Sequence, residues 1–279
     1  MDRPLCLMHA NCQGDQLETL LLASRTFSRT YRLVRRTNYT REPVTPEELG
    51  ACDLFLYQHL DEKWGELSSP ALLEKLRPST RTLQIPNLFF KGYWPFWTKN
   101  SPISFGDTLL NRLIDEGATK PVILKIYLHG NITSFVDLTA LFEETVATEK
   151  TKEAALEIRT VDYFLSSWRQ KMLFHTINHP GKELLIHVAQ GILTALGLPP
   201  LTGREIATVQ HTGMFPSYAD FDLPIHPQVA SFFDLGFARQ GQTFAVFGRR
   251  MTFEQYISRY IDFRLNRLDG DFTAYLHLV

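Results

Sequence analysis

Residues 4–35 read PLCLMHANCQGDQLETLLLASRTFSRTYRLVR, and the fold follows from how this stretch is parsed. Pro4–His9 is a short apolar run of strand length, and Tyr31–Arg35 is a second. Between them Leu17, Leu20, Leu21 and Ser24 recur at three- and four-residue spacing, so Asp15–Ser24 predicts a helix with one apolar face. Strand, helix, strand at this spacing is a βαβ unit, whose crossover makes the two strands parallel. Asp53–Gln58 and Thr82–Pro86 are further strand-length runs that widen the sheet. Val122–Leu128 is too short for periodicity to decide between a fifth strand and a helix.

Beyond this point the pattern turns helical. Ser134–Glu157, Val161–Ile177, Gly181–Leu196 and Thr252–Leu268 carry apolar residues at helical spacing, the last opening on a near capping box. Breaker clusters at 197–203, 215–227 and 236–242 separate them, and none is long enough to act as an interdomain linker. The expected class is α/β: a small parallel Rossmann-like sheet in residues 1–130, with a mainly helical region, 131–279, packed on it as one compact unit.

Composition removes several classes of function. With 44% hydrophobic and 21% charged residues the chain is an ordinary folded protein rather than a disordered one. Its 29 basic and 30 acidic residues nearly cancel, leaving no broad positive field for nucleic acid. The three cysteines, Cys6, Cys12 and Cys52, form neither a disulfide framework nor a zinc or CxxC spacing, which points to a reducing cytoplasm. The N-terminal apolar run is too short for a secretory signal. Leu184–Leu198, interrupted by His187 and Gln190, falls short of the roughly 20 residues of a membrane span, so no transmembrane segment is expected. No GxGxxG, P-loop, HExxH or EF-hand pattern occurs, and no metal-ligand spacing stands out, so no metal is expected.

The chemistry concentrates at His9-Ala10-Asn11-Cys12-Gln13-Gly14, where the first strand hands over to the first helix. Ligands of open parallel sheets bind beyond the carboxyl ends of the strands. A cysteine there meets backbone N–H groups and a helix N-terminus, which favour thiolate and offer an oxyanion site. Cys12 is therefore the candidate nucleophile, with Cys6 and Cys52 read as space-filling. Asn11 and Gln13, flanking it, and Gln58, ending the third strand, are candidate oxyanion or substrate-binding groups. Two histidines precede prolines, His179 and His226, and each is expected to cap a helix with a neutral ring able to accept a proton. Asp222 stands four residues before His226 and is the candidate to orient it; Asn178 would do the same for a neighbouring histidine. The aromatic stretch 84–97, QIPNLFFKGYWPFW, reads either as packing or as a wall for a sugar or adenine ring, with Lys91 and Tyr93 as candidate cofactor contacts.

Four of these stretches together, Asn-Cys-Gln at 11–13, IPNLFFKGYWP at 85–95, INHPGKELL at 177–185 and PIHPQV at 224–229, resemble the WcbI-type family of capsular polysaccharide biosynthesis acetyltransferases. The family usually has Gly before Asn-Cys-Gln, whereas this chain has the less permissive Ala10. The resemblance implies binding of coenzyme A or acetyl-CoA and transfer of an acetyl group to a sugar or polysaccharide precursor. It makes Cys12 the nucleophile and His179 and His226 the candidate bases. The order of Cys, Asp and His is also similar to SGNH-type hydrolases, which carry Ser at the first position. That keeps two alternatives open: a cysteine thioesterase or esterase, and a non-catalytic CoA- or glycan-binding module.

Overall fold

Strand β1 (Leu5–Ala10) is buried along all six residues, as suits the centre of a parallel sheet covered on both faces. In the computed structural model, which describes residues 3–103, 105–211, 221–238, 241–246 and 248–265, β1 leads into α1 (Gln13–Ala23) and α2 (Arg25–Thr30). The chain continues through β2 (Arg32–Thr37), α3 (Pro46–Ala51), β3 (Cys52–Tyr57), α4 (Ser69–Glu74) and β4 (Arg81–Gln84). The four strands are parallel in the order β2-β1-β3-β4. Register pairs Leu5 with Arg32 and Ala10 with Thr37 on one side of β1, and His9 with Tyr57 on the other.

One face of the sheet packs Leu7 and Phe55 against Leu49 of α3 and Leu72 of α4. On the other, α1 buries Leu17, Leu20 and Leu21 and meets the helices Lys182–Ala195 and Gly203–His211. The first of these presents Leu184, Leu185, Val188, Ala189, Ile192 and Leu193 as its buried stripe. It stops where Gly197 takes φ +73°, with the Gly197 N–H on the Thr194 carbonyl and the Leu198 N–H on the Leu193 carbonyl. This is the left-handed C-terminal cap that favours glycine. Ala10 is accommodated at close quarters: a Cβ on Gly14 would lie 2.8 Å from the Ala10 Cβ, so the bare Gly14 lets α1 settle on the end of β1.

The chain divides into two units that interleave in sequence. The first comprises Met1–Leu88, Lys150–Phe164 and Pro180–Ser217; the second comprises Phe89–Glu149, Leu165–His179 and Tyr218–Val279. This differs from the expected split at residue 130, because sheet and aromatic segment part at Leu88 and the strand-covering helix Lys182–Ala195 returns from late in the chain. The second unit is mainly helical, with Thr108–Asp115, Lys120–His129 and Phe253–Arg264, and a hairpin of Thr243–Val246 with Arg249–Thr252. Its core sets Tyr93, Phe142 and Trp168 edge to face on Phe90, with Phe174 tilted against it.

Val122–Leu128 resolves as helix, with Pro121 in its first turn. Thr252 and Gln255 complete the expected capping box. The helix expected over Val161–Ile177 ends at Leu165, and Phe174–Thr176 is extended. Ser166 and Ser167, both weak helix formers, follow its last residue.

Candidate functional site: the Cys12 corner and a histidine–aspartate pair

In a sheet ordered β2-β1-β3-β4 the chain leaves β1 toward one edge and β3 toward the other, so a crevice opens between the ends of these two strands. Asn11 and Cys12 follow β1 there, and Gln58 follows β3. Two side-chain amides lace the corner together. The Asn11 N–H donates to Gln58 Oε1 at 2.8 Å, while Gln58 Nε2 donates to the Pro86 carbonyl at 3.1 Å and to Gln13 Oε1 at 3.3 Å. Gln13 Nε2 donates to the Leu88 carbonyl at 2.8 Å, and Gln13 Oε1 accepts from the Leu88 N–H at 3.1 Å. Both glutamines are fully buried, where an amide must spend its donors and acceptors on the protein. This corrects their expected roles: Gln58 and Gln13 hold the crevice in shape and leave no donor for an oxyanion or substrate.

Asn11 keeps one end at the surface. Its Oδ1 accepts from the Gln13 N–H at 2.9 Å, and its Nδ2 donates to Oδ1 of the exposed Asn87 at 3.1 Å. Asn87 lies just after β4, within the quoted aromatic stretch. The signal that would have found it is its position, an asparagine after Pro86 at the end of the next strand, on the edge where Cys12 already sits.

Cys12 occupies the N-cap of α1 with φ −55° and ψ −23°, half-buried, whereas Cys6 and Cys52 are at 0% exposure. Burial pushes the Cys12 thiol up to about 11 from an ordinary 9.0, against the pull of the Cys12 and Gln13 N–H groups, and Asp15 adds to the rise. The expected resting thiolate is thus corrected to a resting thiol, since desolvation outweighs the helix terminus. Arg35 does not offset this, being spent on Glu18 at 2.9 Å and Asp15 at 3.1 Å. Any nucleophilic use of Cys12 therefore requires a base. Cys6 and Cys52 are raised by burial too, and fill space as expected. Upstream, His9 is wholly buried, and neither ring nitrogen has a hydrogen-bond partner among the described residues.

In the second unit the imidazole–carboxylate pair is one that the sequence did not single out. His175 Nδ1 lies 2.7 Å from Asp222 Oδ1, a bond that fixes Nδ1–H and leaves the lone pair on Nε2. The backbone holds both partners in place: the Leu223 N–H donates to the His175 carbonyl and the Asp222 N–H to the Ala245 carbonyl, each at 2.7 Å. Asp222 therefore orients His175 and not His226. His226 is the N-cap expected, but its ring is consumed: Nδ1 accepts from the Gln228 N–H at 3.1 Å and Nε2 donates to the Tyr127 carbonyl at 2.9 Å. Packed among Tyr127, Phe96 and Phe253, it has no lone pair to offer a substrate.

His179 does not cap its helix, a position taken by Gly181. Burial, with the neighbouring His175, lowers its ring to about 4, so it is neutral at physiological pH. Asn178 Oδ1 accepts from the Thr176 hydroxyl at 3.0 Å. Tyr93 is fully buried with its hydroxyl between the Trp168 and Lys171 carbonyls, at 2.6 and 2.9 Å, which corrects its expected cofactor contact to a core role. Lys91, half-buried, sets its ammonium 5.9 Å from the centre of the Trp97 ring.

Among the described residues no group of three or more His, Cys, Asp or Glu is placed to hold a metal ion, and no helix is long and apolar enough to cross a membrane. The family of polysaccharide biosynthesis enzyme WcbI matches residues 5–201. A solved structure of WcbI, described as a novel polysaccharide biosynthesis enzyme and as the native protein without a disulfide bond between CoA and a cysteine, superimposes with a TM-score of 0.78. It is 21% identical, over 99% of this chain and 94% of that one. No curated protein matches the chain.

Proposed function

The chain belongs to the WcbI family of polysaccharide biosynthesis enzymes, and from that premise we propose that it transfers an acetyl group from acetyl-CoA to a sugar hydroxyl through Cys12. The observation that carries this reading is the contrast among its cysteines: two lie sealed in the sheet, and one stands half-open on a helix N-terminus with N–H groups on its sulfur. That WcbI is characterised by whether CoA and one of its cysteines are disulfide-bonded supports CoA as the ligand that Cys12 meets.

In the proposed reaction the Cys12 sulfur bonds to the thioester carbonyl carbon as its proton passes to a base. The oxyanion is held by the Cys12 N–H and a side-chain amide of Asn11 or Asn87, the carbon–sulfur bond to CoA breaks, and the proton leaves with the CoA thiol. The sugar oxygen then bonds to the same carbon while its proton goes to the base and the bond to Cys12 breaks. Within its own unit, His175 has the build of a general base, since Asp222 fixes its tautomer and stabilises the imidazolium when it forms. His179, the base that the family resemblance implies, is neutral.

Intact mass after mixing with acetyl-CoA tests the reading. The expected product is the chain plus one acetyl group, absent in Cys12→Ser, which still binds CoA. No acetylated species in a wild type that binds CoA would overturn the covalent path. Turnover of acetyl-CoA without any sugar would recast the enzyme as a thioesterase.

A further inference from the structure

The turn after β2 is more tightly built than a connection requires. The Asn38 N–H donates to the Ala10 carbonyl at 3.0 Å, which ties the turn to the last residue of β1, two positions from Cys12. Thr37 and Glu42 close it from both sides: the Thr37 N–H donates to Glu42 Oε2 at 3.0 Å, and the Glu42 N–H donates to the Thr37 carbonyl at 3.2 Å. At the tip stands Tyr39, an aromatic ring left 53% exposed. Burial and then the Cys12 sulfur hold its phenol above the usual range, so its hydroxyl stays protonated and can donate.

Arg41 takes φ +56°, a left-handed conformation that a long side chain adopts only where its surroundings impose it. Its guanidinium lies 5.2 Å from the centre of the Trp64 ring, exposed and without an ion-pair partner among the described residues. An exposed aromatic ring and a guanidinium without an ion-pair partner among the described residues, both on a turn tied to Ala10 at the end of β1, together make a recognition surface.

We propose that Tyr39 and Arg41 form the acceptor subsite, and that the acceptor is a sugar bearing an anionic group, a carboxylate or phosphate. This rests on the acyltransferase reading above. A hydroxyl must come within bonding distance of the acyl carbon on Cys12, so the ring that carries it lies beside the sulfur, where Tyr39 can stack on its apolar face. The nucleotide of CoA, by contrast, is a whole pantetheine arm away from its own sulfur. Arg41, two residues further along the turn, is placed for a charge on the same or the adjoining sugar.

The test uses methyl glucuronide and methyl glucoside as probes, with binding followed by ligand-observed NMR and CoA binding followed by calorimetry. The wild type is expected to bind the glucuronide about fivefold more tightly than the glucoside, an exposed-to-rim charge contact. Arg41→Asn, which tolerates the left-handed backbone, should bring the two probes level. Tyr39→Ala should weaken both by about tenfold and Tyr39→Phe should keep most of the affinity, as expected for ring stacking. CoA affinity should be the same in all four proteins. Equal sugar binding by wild type and variants, or no sugar binding by the wild type, overturns the assignment; so does a loss of CoA affinity in Tyr39→Ala, which would place the turn on the CoA arm. Failure of the wild type to bind CoA would count against the acyltransferase reading instead, and is read separately from the sugar result.

Discussion

The protonation of Cys12 at rest decides whether the site attacks spontaneously or only with help, and alkylation kinetics read it directly. With the thiol pushed up to about 11 against an ordinary 9.0, the thiolate is about 100-fold scarcer than in an unperturbed cysteine at any pH below 9, and about one molecule in 10⁴ carries it at pH 7. The rate of carbamidomethylation by iodoacetamide follows the thiolate. Intact mass spectrometry from pH 7 to 10 should therefore show Cys12 labelling that rises about tenfold per unit without a plateau, and that runs about 100-fold slower than free glutathione at pH 7. Cys6 and Cys52, both wholly buried, should remain unlabelled in the folded protein, and Cys12→Ser should abolish the signal. Asp15→Asn should speed labelling by about twofold to threefold, since its half-exposed carboxylate acts through solvent. A plateau near neutral pH would refute the reasoning: the helix terminus would then outweigh desolvation, and Cys12 would need no base.

Asp222→Asn should keep the fold and CoA affinity while slowing transfer by about 100-fold or more, because the tautomer of His175 is no longer fixed; His226→Gln should lower stability and leave transfer near wild type. Acid unfolding should report His9, whose ring burial lowers to about 4 from 6.5 despite the opposing pull of Glu42. The unfolded chain takes up that proton first, so the stability His9 contributes is complete above about pH 6.5 and is lost as the pH falls toward 4. The loss is about 3 kcal/mol, and it should be absent in His9→Leu when urea midpoints are compared between pH 7 and 4.5. Gly14→Ala places a Cβ 2.8 Å from that of Ala10 and should cost about 1–3 kcal/mol in urea unfolding, with partial recovery in the Ala10→Gly, Gly14→Ala double variant.

The sheet was legible because its signals are local. Four apolar runs of strand length and one amphipathic helix each announce themselves within a few residues, and all four strands form within two residues of their expected bounds. The Val161–Ile177 segment misleads for the converse reason: Trp168 and Phe174 are spaced by the needs of an aromatic core that no local pattern encodes. The site divides along the same line. Cys12 stands out because a strand-to-helix corner is itself a local feature. His175 has no motif, since its partner Asp222 lies far along the chain and the backbone pairings of Leu223 with His175 and of Asp222 with Ala245 bring them together.

Sequence alone determined that this is an α/β chain with a cysteine at its first corner, because hydrophobic period and chain connectivity are properties of neighbouring residues. It also carried the family, through four short motifs in order. Only the tertiary structure decided which polar groups remain for chemistry. Gln13, Gln58, Tyr93 and His226 carry donors and acceptors fit for a site, yet burial obliges each to spend them on backbone or side chains nearby. The same desolvation turns the Cys12 thiolate into a thiol. Desolvation is a property of everything packed around an atom, and no stretch of sequence contains it.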